Sequence, residues 1–461
     1  MGVKRQNEQP RLRFEEERGG EASDQPPRRV ETPIADLRDE SRALTEQLME
    51  EICERENLKR ALKRVRANKG SPGVDGMTVE ELRGYLKEHW PAIREQLLRG
   101  AYRPQAVKRV EIPKPGGGKR KLGIPTALDR FIQQAVMQVL QGRWDRTFSD
   151  HSYGFRPGRT AHQAVARAQG YVAEGNGVVV DIDLEKFFDR VNHDVLMSRV
   201  ARRITDKRLL KLIRAYLTAG IMENGLVSPS DEGTPQGGPL SPLLSNLLLD
   251  DLDKELERRG HRFVRYADDC NIYVKSERAG GRVMESVERY LTRKLRLRVN
   301  REKSAVGSPR DRKFLGFSFW GDREPRRKVS TKSLKQFKKR VREITGRTRG
   351  IKLERMIEEL SGYLRGWIGY YGYSQMPTDL RDLDSWIRRR LRSMMWKQWQ
   401  RSNARYQQLR KRGVSQTLAH GITCLKVGTW RASLSRAMAI AFSISYFRSL
   451  GLPELTAYQK G

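Results

Sequence analysis

RFVRYADDCNIYVKS, residues 262–276, sets two adjacent carboxylates, Asp268 and Asp269, between apolar, strand-like flanks. Strand alternation would put Tyr266 and Asp268 on one face and Ala267 and Asp269 on the other. A tight hairpin here would instead present the acids at a turn, where they can hold a divalent cation. A second acidic strand end, Asp181-Ile182-Asp183, closes the apolar run GVVVDID upstream. Carboxylates from two strands around Mg²⁺ are the minimum apparatus for two-metal phosphoryl transfer.

The rest of the chain must explain its charge. Its 461 residues suffice for two to four domains, and 37% hydrophobic content allows a core. The formal net charge is +35 and the pI near 10.4. Self-repulsion on that scale points to a polyanionic partner, nucleic acid by default. A membrane partner is not expected, because no amphipathic anchor, lipidation signal or apolar run of about 18 residues occurs. The N-terminus lacks the apolar run of a signal peptide. Cys53, Cys270 and Cys424 are far apart, which disfavours a cysteine-rich zinc site and suits a reducing, cytoplasmic setting.

Residues 1–45 read as a polar, disordered extension rich in Arg, Glu and Pro. A helical pattern runs from Leu44 to Lys69-Gly70. VKRVEIPKPGGGKRKLGIPT reads as two basic strands around a Pro/Gly turn, and LDRFIQQAVMQVLQGRW as a helix. DEGTPQGGPLSPLLSNLLLDDLDKELERRG is a glycine-rich loop opening a long helix. Strands that carry acids alternate with long helices, an α+β pattern. From Gly321 onward, 31 Lys and Arg stand against 10 Asp and Glu, so this third of the chain carries +21 of the net charge on mainly helical, aromatic-rich sequence.

Seven segments run in the order found in the reverse transcriptases encoded by group II introns: RVEIPKPGGGKRKLGIPT, YGFRPGRTAHQAV, VVVDIDLEKFFDRVNHDVL, GTPQGGPLSPLLSNLLLDDLD, RYADDCNIYVKS, LRLRVNREKSAV and KFLGFSFW. The chain resembles that family over roughly Asn57 to Trp320. GWIGYYGYS and WIRRRLRSMMWKQWQ resemble its thumb and maturase region more loosely. The resemblance implies an α+β right-hand polymerase with fingers, an antiparallel palm sheet and a helical thumb. It divides the chain into 46–320 (fingers and palm with an N-terminal extension), 321–400 (thumb and maturase region) and 401–461 (a basic DNA- and RNA-binding region). The cofactor implied is a pair of Mg²⁺ ions, with Mn²⁺ as a substitute. The partners are intron RNA, a template RNA–DNA primer duplex, target DNA and dNTPs.

Residue by residue, the resemblance makes Asp183, Asp268 and Asp269 the catalytic, metal-holding acids, with Phe188 the aromatic filter against a 2′-hydroxyl. Asp181 is assigned a structural hydrogen-bonding role more readily than a metal contact. Lys114 and Arg120 correspond to the pair that holds the incoming triphosphate, and Gln236 to the residue against the nucleotide. Lys303 corresponds to a lysine that serves either as a general acid toward pyrophosphate or in an ion pair. Phe314, Leu315 and Gly316 match the primer grip, where an apolar core strand is the plain alternative. Arg156 would brace template or nucleotide, and Arg388, Arg389 and Arg390 would contact phosphates or form a solvated basic face. The loop at 69–75 would cover the template. The tail lacks the paired cysteines of the family's endonuclease domain, which implies the compact, endonuclease-lacking (group IIC-like) type. Two other roles stay open at this point: a splicing-only maturase, and a domesticated enzyme of phage defence or CRISPR adaptation.

Overall fold

The computed structural model describes residues 46–113, 118–223, 226–228, 232–234, 237–321, 324–425 and 427–458. The proposed disordered extension, Lys114 and Gln236 therefore lie outside the described residues. The strands among the described residues are β1 (Val107–Pro113), β2 (Lys119–Ile124), β3 (Val178–Ile182), β4 (Ile221–Glu223), β5 (Leu226–Ser228), β6 (Arg262–Tyr266), β7 (Asp269–Val274), β8 (Ala305–Gly307), β9 (Phe317–Trp320) and β10 (Arg326–Val329).

Strands β6-β7-β3-β8, in that order, form an antiparallel sheet. Its register pairs Val180 with Ile272 and Ile182 with Cys270. These side chains join Phe263 in a core shared with Leu243, Leu247 and Leu248 of the Ser241–Arg258 helix. The alternate positions, Val179, Val264 and Tyr273, pack on the other face against Phe314 and Phe317. That second face is apolar only at one end. At the other end it carries Asp181, Asp269 and Asn271, which line an open cleft. Period-2 alternation thus gives one sheet a sealed face and a half-open one.

A second sheet, in the order β2-β1-β4-β5, contains the basic hairpin predicted from the sequence, with Ile112 paired to Arg120. The Ala127–Trp144 helix behind it starts where Thr126 Oγ accepts from the Asp129 amide. The long helix expected over 44–69 is two helices, Leu48–Ile52 and Arg55–Ala67, because Glu54 is extended between them. Lys69, with φ of +45°, makes the left-handed exit at the expected end of the pattern. Beyond β10, helices Thr331–Ile344, Leu353–Tyr371 and Pro377–Gln398 begin a helical region whose apolar residues form a single core from Val329 to Leu455. Trp396 is buried there. Among the described residues, no helix is long and apolar enough to cross a membrane.

Candidate active site

The acidic hairpin is tighter than strand alternation allows. Tyr266 pairs directly with Asp269, which leaves Ala267-Asp268 as a two-residue turn. Ala267 has φ of +57°, a left-handed conformation unusual for a residue with a Cβ. Because the chain reverses here, Tyr266 and Asp269 share a face as cross-strand neighbours, which corrects the alternation expected from the sequence.

Arg265 holds this turn from beneath. It is 1% exposed, and all five of its N–H donors are used. Nε and Nη2 meet the two carboxylate oxygens of buried Asp253 at 2.7 and 2.5 Å. Nη1 donates to Asn246 Oδ1 at 3.0 Å and to the Ala267 carbonyl at 2.8 Å, and Nη2 to Ser152 Oγ at 2.8 Å. Asn246 in turn donates to the Gly154 carbonyl. Gly154 presses on the turn so closely that a Cβ there would collide with Ala267 N and lie 2.9 Å from the Tyr266 carbonyl carbon. Three segments distant in sequence therefore converge on the turn that carries Asp268. The sequence reading passed over Ser152, Asn246, Asp253 and Arg265. A signal was present: Asn246 and Asp253 are seven apart on the apolar face of a helix, and Arg265 interrupts an inward-facing strand pattern.

Asp183 follows β3 directly. Its backbone is held by Ser304, whose Oγ accepts from the Asp183 amide at 2.9 Å, and by the Asn300 amide, which donates to its carbonyl at 2.8 Å. Lys303 Nζ stands 3.5 Å from Asp183 Oδ1. Burial pushes the Asp269 carboxyl up to about 6, with the Asp268 charge adding to the shift. Burial also raises Asp268; the Asp183 charge adds to this and Arg120 opposes it. Asp181 is pushed up to about 6, chiefly by burial. With the Asn271 amide oriented to suit its neighbours, its Nδ2 donates to Asp181 Oδ1 at 3.1 Å, the bond expected of a structural acid.

These groups suit hard divalent cations. Asp183, Asp268 and Asp269 are carboxylates that repel one another in a partly desolvated place, which a cation would relieve. Among the described residues, no three acids close into a ready-made cage.

The acids open on a cleft of about 890 Å³ lined by Asp181, Asp183, Asp269, Lys303, Phe314 and Leu315, with Arg310, Arg312, Lys313, Lys332 and Lys335 among its walls. The cleft has an acidic floor and cationic walls. Phe314 and Phe317 exchange both backbone bonds around Leu315-Gly316, whose φ values are +50° and +85°. The segment is thus a tight turn with a buried Phe314, so its core role and a tip facing the cleft hold together. Tyr370 Oη donates to the Leu315 carbonyl at 2.8 Å, tying the turn to the Leu353–Tyr371 helix.

On the basic hairpin, Arg120 is exposed on β2, near enough for its charge to act on Asp268. Phe187 is buried, whereas Phe188 lies partly open beside Gly233, Thr234 and Gly123 in a small cavity of about 90 Å³. Gly237 lies so close to β2 that a Cβ on it would be 2.5 Å from the Gly123 carbonyl oxygen.

The four arginines proposed for nucleic acid are placed differently. Arg156 is buried, bound to Asp145 and to the Ser149 and Ser152 carbonyls. It braces the YGFRPG segment, and its guanidinium is not free for template or nucleotide. Arg389 stacks on Trp430 at 3.9 Å, and Arg390 donates to Thr345 Oγ1 at 2.6 Å. Both tie the helical region together. Arg388 is half-buried and has no ion-pair partner among the described residues.

Comparison with known proteins adds to this geometry. Residues 112–319 match the family described as "Reverse transcriptase (RNA-dependent DNA polymerase)". Residues 334–413 match "Group II intron, maturase-specific domain". "Protein YkfC" of Escherichia coli (strain K12) is 32% identical over 318 residues, which cover 60% of this chain and 82% of that protein. "Group II intron-encoded protein LtrA" of Lactococcus lactis subsp. cremoris is 29% identical over 341 residues, 60% of this chain and 56% of that protein. A chain of the "Partial Cas6-RT-Cas1--Cas2 complex" aligns with a TM-score of 0.36 at 26% identity, covering 53% of this chain and 42% of that one.

Proposed function

The chain belongs to the reverse transcriptases of the group II intron-encoded type, and on that premise we propose that it extends a primer 3′-hydroxyl along an RNA template, assists splicing of its own intron RNA, and copies that RNA into DNA at the insertion site. The observation that carries the reading is the shared cleft: Asp183 and Asp269 lie on its floor beside the Leu315 turn.

Asp183 and Asp268, with backbone carbonyls, are the groups that would hold two Mg²⁺ ions, and Asp269 supports them. When bound, such ions activate the 3′-hydroxyl and neutralise the leaving pyrophosphate. The protein's own groups do the rest. Arg120, joined by Lys114, draws the triphosphate toward Asp268. Phe188 would block the volume that a 2′-hydroxyl fills, and Gln236 is the residue the family resemblance assigns to the nucleotide. Lys303 pairs with Asp183 by charge at 3.5 Å and, in this reading, would give a proton to pyrophosphate. The Leu315-Gly316 turn would seat the primer end, since the Tyr370 hydroxyl holds the Leu315 carbonyl of a turn that lines the same cleft as the acids. The basic helical region supplies phosphate contacts for duplex and intron RNA, which set affinity and register more than sequence. Target DNA is the second polyanion it would meet.

Primer extension on poly(rA)/oligo(dT) tests the reading. Asp268→Asn is expected to abolish extension and to leave RNA binding in a filter assay close to that of the parental protein. Near-parental extension by that variant, in a contaminant-free preparation, would overturn the assignment.

A further inference from the structure

Phe155 is 45% exposed, yet its φ is +60°. A bulky residue in this region is strained by about 1–2 kcal/mol, and such strain persists only where the surroundings impose it. The surroundings here do so on both sides. Gly154 is pressed against the catalytic turn, with its carbonyl held by Asn246. Arg156 is pinned by Asp145, Ser149 and Ser152, and Gln141 Nε2 donates to the Phe155 carbonyl at 3.3 Å. The fold therefore holds an aromatic ring out in solvent one residue from the backbone that touches Ala267. Core packing does not account for a side chain this exposed.

Next to it lies a groove of about 710 Å³, to which Gln141 and Pro157 both contribute. Its cations are Arg60, Lys63 and Arg64, at helical spacing on one face of the Arg55–Ala67 helix, and Arg146 opposite. All four are exposed, and none has an ion-pair partner among the described residues. Asp145, the acid in the groove, is already bound by Arg156. Unpaired cations beside an exposed ring are the two elements of a single-strand site: charge that follows phosphates and a flat face that stacks a base.

We propose that Phe155 and this groove form the path of the unpaired 5′ segment of the RNA template, with one base stacked on Phe155 and the phosphates following Arg60, Lys63, Arg64 and Arg146. The inference rests on the polymerase reading above and adds a residue and a surface to it.

The test compares two template–primer duplexes, one with a long 5′ template overhang and one whose template ends one nucleotide beyond the primer. On the long overhang, Phe155→Ala is expected to raise KM for template–primer about ten-fold, within the range for loss of one base stack, and Phe155→Trp to restore it. On the short template both variants should match the parental protein. Phe155→Gly separates function from structure: Gly relieves the strain, so its Tm should equal or exceed the parental value while long-overhang binding weakens. Neutralising Arg60, Lys63 and Arg64 together to Gln should lower the slope of log K against log salt by about 2 on the long overhang, at roughly 0.7 per phosphate for single strands. Equal losses on both templates, or a parental KM for Phe155→Ala on the long one, overturn the proposal. If the parental protein extends neither duplex, the polymerase reading fails first, which is a distinguishable result.

Discussion

The buried Arg265–Asp253 pair should govern how fast the enzyme works as much as how stably it folds. Asp253 is fully buried, and it is the only carboxylate the Arg265 guanidinium contacts among the described residues. Asp253→Asn leaves that guanidinium buried and uncompensated, a loss of about 3–5 kcal/mol from a folding free energy of about 5–15 kcal/mol. The variant should fold, with a clearly lowered denaturation midpoint. Replacing both partners, Arg265→Met with Asp253→Leu, removes the charge problem, and such exchanges are often neutral or stabilising by about 1–4 kcal/mol. Against this stand the Ala267 carbonyl, Asn246 and Ser152, each losing its bond from Arg265 at about 1 kcal/mol apiece. The double variant should therefore recover most of the midpoint. It cannot recover the clamp on Ala267, and a displacement of about 1 Å at a reacting centre is worth on the order of 100-fold in rate. The measurements are urea denaturation followed by circular dichroism and primer extension at saturating template–primer. Stability near the parental value with kcat reduced about 100-fold and KM little changed is the expected result. A double variant that polymerises at the parental rate would refute the idea that Arg265 positions Asp268. An Asp253→Asn protein as stable as the parent would refute the energetic reasoning.

Gly154→Ala should lower kcat by a comparable factor, because the new Cβ meets Ala267 backbone and no flexible side chain can yield; parental kcat in a folded variant would contradict the close approach. Phe188→Ala should raise ribonucleotide incorporation relative to deoxynucleotide by at least ten-fold, read from competing substrates in single-nucleotide extension, and unchanged selectivity would remove Phe188 as the sugar filter. RNA binding should weaken steeply with salt, given +21 on residues 321–461; a flat response between low and moderate salt would contradict a phosphate-dominated interface.

Much of this protein was legible before any coordinates. Acids at the ends of two apolar runs, a basic Pro/Gly hairpin and a glycine-rich loop opening a long helix are local patterns, and local patterns follow from residue order through periodicity and turn chemistry. They located Asp183, Asp268 and Asp269 and the strands that carry them. They misjudged the faces at Tyr266–Asp269, because a two-residue reversal cancels alternation and its position depends on how β6 meets β7. The resemblance offered Arg156 to template or nucleotide, and the fold buries it against Asp145, since an arginine that will be buried looks the same in sequence as one that will bind phosphate.

What the chain's order determined by itself, then, was which chemistry is present: hard carboxylates, triphosphate-sized cations and a charge excess that demands a polyanion. Tertiary structure alone decided which of those groups are free to act. It committed Arg156, Arg389 and Arg390 to internal bonds and left Arg60, Lys63 and Arg64 without ion-pair partners among the described residues. It placed Arg265, Asp253 and Asn246 under the Ala267-Asp268 turn, and it held Phe155 strained and exposed beside that turn. The physical reason is that burial and pairing are properties of distant segments brought together. Residue 265 finds its counter-charge at 253 and its hydrogen-bond acceptors at 152, 246 and 267 only when the helix, the strand and the loop have packed.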